Sequence, residues 1–283
     1  MTSAFKKFLV RVRQYNNLTQ RIIAALAGVA ILLTAIIYSP WTYFAIFLFI
    51  CLLCLLEFYR LTRHDEVKPI RSWGSICGMS IFFLSYLVES GLINSKYYVL
   101  AFPLLIGVFF IQLYRKDSKP FHNIAFTLLG VIYISVPFAL LNRMAFRGDG
   151  YDYMVVVSLL FISWASDTGA YFVGARFGKT KLFERVSPKK TWEGSLGGTA
   201  LAMVTAYVFS LLTDALPQWQ FFAVAVIIVV AGTYGDLFES LFKRSLAVKD
   251  SGDAIPGHGG FLDRFDGIFV SLPFVAVFLE LVP

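Results

Sequence analysis

Charge is scarce in this sequence: only 15% of its 283 residues are Asp, Glu, Lys or Arg. Soluble domains carry roughly 25%. The deficit excludes a disordered chain, a nucleic-acid-coating domain and a water-soluble globule with an ordinary surface. Cysteine is scarce too. Cys51, Cys54 and Cys77 all lie inside apolar runs, which leaves no disulfide framework. Cys51 and Cys54 have a redox or zinc spacing, but mid-span positions offer neither partners nor access, so they read as packed or lipid-facing hydrophobes. Histidine numbers three. His64 and His122 lack metal-ligand spacing, and His258 alone is not a metal centre. No internal repeat marks the inverted halves of a secondary transporter.

What fills the chain is apolar: 58% of it is hydrophobic. A helix needs about 20 apolar residues to cross a hydrocarbon core of roughly 30 Å. Nine stretches qualify or nearly qualify: 22–38, 41–59, 73–90, 97–114, 121–141, 153–173, 196–213, 219–235 and 265–282. The first is expected to be retained, since it ends in Tyr38-Ser39-Pro40-Trp41 without a small-residue cleavage site. With the N-terminus inside, twenty-two of the 25 basic residues fall on the inner side. Lys96, Arg143 and Arg147 fall outside. Cytoplasmic loops are the ones enriched in Lys and Arg. The expected fold is therefore all-α: a polytopic integral membrane protein of about nine transmembrane helices, N-terminus cytoplasmic and C-terminus outside.

The two halves differ. Residues 1–145 read as a membrane scaffold of about five spans with short loops. Glu57 and Glu89, near their span ends, read as snorkelling or interfacial groups. Residues 146–283 read as the catalytic membrane domain. Acidic residues gather there, and two long inner segments rich in Gly, Lys and Arg join the spans. Polar loops joined to acid-bearing spans are where a membrane enzyme would keep its chemistry.

Four constellations stand out. Asp167 lies within the sixth span among Ser, Ala, Thr and Gly, and a carboxylate at that depth is a functional candidate by default. Ser187-Pro188-Lys189-Lys190 can open a helix, with Ser187 as N-cap and both lysines in a first turn that holds phosphate. A plain positive-inside loop is an equal reading of both lysines. In the eighth span's extension, Asp236, Glu239, Ser240, Lys243 and Arg244 share one helical arc of about 140°. The last inner segment carries Lys249, His258 and Arg264 in a glycine-rich loop, then Asp263 and Asp266 at i,i+3. Hard carboxylate oxygens of this kind suit Mg²⁺, usually shared with substrate phosphates. These residues describe an enzyme using Mg²⁺ on a phosphorylated substrate at the cytoplasmic face, without choosing the substrate.

The run Ser240-Leu-Phe-Lys243-Arg244, Lys249-Asp250, His258-Gly259-Gly260 and Asp263-Arg264-Phe-Asp266 resembles the signature of phosphatidate cytidylyltransferases, also called CDP-diacylglycerol synthases. Ser166-Asp167-Thr-Gly-Ala-Tyr171 and Ser187-Pro-Lys189-Lys190-Thr-Trp-Glu-Gly194 are similar to two further motifs of that family, in the same order. The resemblance covers the second half strongly and the first only in hydrophobic character. It implies transfer of CMP from CTP to phosphatidate, giving CDP-diacylglycerol and pyrophosphate. It also implies Mg²⁺, with a monovalent cation such as K⁺ assisting, homodimers, and a bacterial inner membrane with the site facing the cytoplasm. By motif matching, Asp236 and Asp263 would be the metal carboxylates, with Ser240 and Lys243 close to the metal. Asp266, Asp167, Lys189, Lys190, Arg244, Lys249, His258 and Arg264 would line the nucleotide and phosphate site. The competing readings are a CTP-dependent lipid or polyprenol kinase and, from another class, an ion-coupled transporter.

Overall fold

The computed structural model describes residues 17–64, 66–148, 150–246, 248, 252 and 260–282. Among the described residues, each predicted apolar stretch carries a helix. In chain order these are α1 (Asn17–Tyr38), α2 (Pro40–Leu61), α3 (Arg71–Glu89), α4 (Ser95–Leu113), α5 (Pro120–Ala145), α6 (Tyr153–Phe177), α7 (Trp192–Leu212), α8 (Gln218–Ser245) and α9 (Leu262–Leu281). Six of them, α2 and α4 to α8, are long and apolar enough to cross a membrane. Serine and glycine dilute α3, and Asp263, Arg264, Asp266 and Glu280 break the apolar run of α9.

Local chemistry sets several boundaries. Ser39 separates α1 from α2 by capping: its Oγ accepts from the Thr42 N–H at 3.2 Å, while its own N–H donates to Thr42 Oγ1 at 3.0 Å. Pro40 follows at a position where no amide hydrogen is needed. A π-helical turn, Val131–Ser135, interrupts α5 and turns Tyr133 towards α8 and α9, with Phe238 and Phe269 each 5.4 Å away between ring centres.

Aromatic packing joins the two halves into one core. Phe138 of α5 meets Phe265 and Phe269 of α9 edge-on at 5.7 and 5.2 Å. Phe58 of α2 stacks on Phe242 of α8 at 5.4 Å. Cys51 and Cys54 are buried and unbridged, as packed hydrophobes.

The segment between α6 and α7 departs from expectation. Lys181–Phe183 (β1) and Ser187–Thr191 (β2) pair as an antiparallel hairpin. Ser187 is therefore not an N-cap, and Lys189 and Lys190 do not occupy a first helical turn. Pro188 biases Ser187 towards extended backbone, and the helix waits for Thr191, whose Oγ1 accepts from the Gly194 N–H at 3.1 Å. Glu193 then fastens the hairpin by accepting from the N–H groups of Lys179 and Thr180, each at 3.1 Å.

Two close approaches shape the second half. A Cβ on Gly169 of α6 would stand 2.5 Å from the Gly197 carbonyl oxygen of α7. One on Gly235 of α8 would stand 2.8 Å from the Asp266 carbonyl oxygen of α9. Only glycine lets those backbones touch. The second contact puts Asp236 beside the start of α9.

Candidate active site

The acids and lysines converge where the C-terminal end of α8 meets the N-terminal end of α9. Because Gly235 lets the two helices touch, Asp236 lies against the Asp266–Gly267 backbone; a Cβ on Gly267 would come within 3.0 Å of Asp236 Oδ1. Asp266 neighbours both Asp236 and Glu239. Its Oδ1 accepts from the Gly267 N–H at 2.8 Å. Asp263, one turn earlier, accepts from the Gly260 N–H at 3.0 Å through Oδ2.

Two lysines thread this acidic cluster. Lys243, one turn beyond Glu239 on α8, donates to Asp263 Oδ1 at 2.8 Å and to Glu239 Oε2 at 3.2 Å. All three are shielded: the side chains of Lys243, Asp263 and Glu239 are 15%, 12% and 1% exposed. Lys190 arrives from β2. Its Nζ donates to Asp236 Oδ2 at 2.5 Å and to the Thr233 carbonyl at 3.5 Å. Successive residues of a strand point to opposite faces, so Lys189 faces away and is exposed. The two lysines are thus not equivalent. Asp167, on α6, couples electrostatically to Asp236 and Lys190.

Ser240 is half-buried on the same face of α8, and Arg244 is exposed at its end. Arg264 is exposed in the first turn of α9. Lys249 and His258 lie outside the described residues. The expected constellation is therefore assembled around Asp236, Lys243, Asp263, Asp266 and Lys190, with Asp167 beside it.

One group was not foreseen in its position. Glu57 does not snorkel outwards; it is 5% exposed. Its Oε2 accepts from the Leu262 N–H, the first residue of α9, at 2.9 Å. A carboxylate at a helix N-terminus satisfies an orphan donor and complements the dipole. Glu89 lies at the opposite end of the bundle, where Arg143 pairs with it at 3.0 Å and with Glu280 at 2.8 Å. Glu239, on the arc of α8 that the sequence marks out, is a buried member of the acidic cluster, and among the described residues its shielded Oε1 has no hydrogen-bond partner.

Chemically, the cluster offers hard oxygens next to ammonium groups on converging elements. That donor set suits a divalent cation shared with phosphate, and the orphan Glu239 oxygen is one such donor without a ligand. Among the described residues, no three acidic, His or Cys side chains already converge at ligand distance; Lys243 stands between Glu239 and Asp263.

Comparison with known proteins covers most of the chain. A family model described as the cytidylyltransferase family matches residues 19–282. A phosphatidate cytidylyltransferase of Staphylococcus haemolyticus is 33% identical over 264 residues, covering 92% of this chain and 98% of the relative. One from Bacillus subtilis is 38% identical over 167 residues, covering 59% of this chain and 62% of the relative. A third, from Staphylococcus saprophyticus, is 33% identical over 82% of this chain and 88% of its own.

Proposed function

Because the chain belongs to the cytidylyltransferase family, we propose that it transfers CMP from CTP to phosphatidate at the junction of α8 and α9. The observation that carries this reading is the Lys243 ammonium held between Glu239 and Asp263, with Lys190 on Asp236. Acids and lysines interleaved in this way match a reaction between two polyanions.

A phosphatidate phosphate oxygen attacks the α-phosphorus of CTP. The new O–P bond forms as the bond from that phosphorus to the bridging oxygen breaks, and pyrophosphate leaves with the electron pair. The attacking oxygen is already anionic, so no strong general base is required. The demands are in-line positioning and charge neutralisation. Lys190 and Lys243 can release their carboxylates for phosphate, and the family motifs add Lys189, Arg244, Lys249, His258 and Arg264 as phosphate and nucleotide contacts. Asp236 and Asp263 would hold Mg²⁺, with Glu239, Ser240 and Asp266 adjacent and K⁺ assisting. The metal supplies Lewis-acid neutralisation of the phosphates.

The same reading takes the remaining expectations with it: nine spans, N-terminus cytoplasmic and C-terminus outside, in a bacterial inner membrane, and assembly as a homodimer. Residues 1–145 frame the site and 146–283 carry it. The basic residues clustered at the α8–α9 end support a cytoplasm-facing site. A lipid substrate enters laterally and a nucleotide from water.

Purified protein in detergent should release pyrophosphate only when CTP, phosphatidate and Mg²⁺ are all present, and a chelator should stop it. Release that is indifferent to phosphatidate would overturn the proposal.

The frame has a specific point of attachment. Glu57→Ala removes the acceptor at the first residue of α9, which then frays and loosens Asp263 and Asp266. Loss of a cap costs about 0.5–2 kcal/mol, so the expected outcome is turnover lowered about tenfold on that scale, with KM for CTP little changed. Glu57→Gln keeps a carbonyl acceptor and should restore most of the turnover. Equal losses in both variants would show that the cap is not what matters.

A further inference from the structure

Away from the acidic cluster, a cavity of about 390 Å³ opens among the ends of α2, α3 and α4. Leu56, Arg63, Lys68, Pro69, Arg71, Ser72, Ser75 and Arg115 form its wall, four of them basic and none acidic. Leu56 precedes Glu57 on α2, so that helix separates the cavity from the α9 attachment. Both lie at the end of the bundle that carries the candidate site.

The wall is built rather than incidental. Asn123 Oδ1 accepts from the Lys68 N–H at 2.6 Å, and Thr127 Oγ1 accepts from the Ile70 N–H at 2.8 Å, which pins the α2–α3 connection. Arg115 pairs with Asp117 at 2.7 Å, and Asp117 is also held by Gln112 and Asn123. Among the described residues, no carboxylate pairs with Arg63, Lys68 or Arg71. Ser75 is 5% exposed, and among the described residues its buried Oγ has no hydrogen-bond partner. Concentrated positive charge with an unused hydroxyl is a site for a phosphate ester.

The surroundings select a lipid over a free anion. Ser72 shares a face of α3 with Ile76 and Phe83, one and three turns away, which are 47% and 44% exposed. An apolar stripe thus runs from the basic cavity along a helix that lies among the membrane-crossing ones. We propose that this cavity binds the headgroup of an acidic phospholipid, with an acyl chain along Ile76 and Phe83. The site is separate from the α8–α9 cluster and does not rest on the cytidylyltransferase reading.

The test is titration of purified protein in neutral detergent, without CTP, using short-chain phosphatidylglycerol, phosphatidylcholine of the same chain length, and inorganic phosphate. Saturable binding of phosphatidylglycerol is expected, with phosphatidylcholine and phosphate far weaker. Arg63→Ala with Arg71→Ala should weaken it about 20-fold, on the scale of two basic residues at a lipid surface. The paired Lys substitutions should restore much of it, and Lys96→Ala at the other end of the bundle should change nothing. Binding unaffected by the double Ala variant, or absent in the wild type, overturns the proposal. Phosphate binding as tightly as the lipid would assign the cavity to a free anion and overturn the lipid assignment.

Discussion

Asp263→Asn is expected to lower kcat/KM for CMP transfer by about 10²–10³-fold, the order associated with removing one preorganised electrostatic contact at a transition state. Asp263 has both oxygens committed, one to the Gly260 N–H and one to Lys243. Asparagine can still accept from Gly260, but its amide turns a donor towards Lys243 and it carries no charge for a cation. The fold should survive, because α9 keeps its Glu57 cap and its aromatic packing on α5. Asp236→Asn should fall by a similar factor, since it strips Lys190 of its partner. Initial rates of phosphatidate-dependent pyrophosphate release, read beside thermal midpoints in detergent, separate loss of chemistry from loss of fold. A wild-type rate in either variant removes that residue from the site. A change in ion flux with transfer intact would instead favour an ion-coupled transporter.

Lys243→Ala is the second large effect, and it falls on stability as well as activity. Its partners Asp263 and Glu239 are 12% and 1% exposed, so removing the ammonium leaves carboxylates shielded from water without their counter-charge. Breaking a buried pair from one side costs about 3–5 kcal/mol, visible as a large drop in thermal midpoint. Turnover should fall by about 10²-fold from the loss of charge neutralisation. Pairing Lys243→Met with Glu239→Gln removes one charge of each sign and should recover much of the midpoint while activity stays low. If activity returns with stability, Lys243 is a structural strut and not part of the chemistry.

The helix positions were legible because hydrophobic runs and bilayer thickness constrain each other strongly. Helical periodicity likewise put Asp236, Glu239, Ser240, Lys243 and Arg244 on one face, and α8 continues unbroken through them to Ser245. What escaped notice came from tertiary packing. Nothing local distinguishes a glutamate near a span end that reaches lipid headgroups from one that caps another helix 205 residues away, as Glu57 does at Leu262. Lys189 and Lys190 looked interchangeable because Ser-Pro reads as a helix start. Once Pro188 lies in a strand instead, the alternation of side chains decides between them, and only Lys190 meets Asp236. Nothing local sets Gly235 and Gly267 apart from other helical glycines, yet they are the reason the acids of two helices come together.

The fate of the phosphorus atoms in CTP tests the central claim most directly. With phosphatidate and Mg²⁺, label placed at the α-phosphate should enter the lipid product, and label at the γ-phosphate should leave in pyrophosphate. Lipid carrying γ-label and no α-label would mean phosphoryl transfer by a CTP-dependent kinase, and would contradict CMP transfer at the α8–α9 junction.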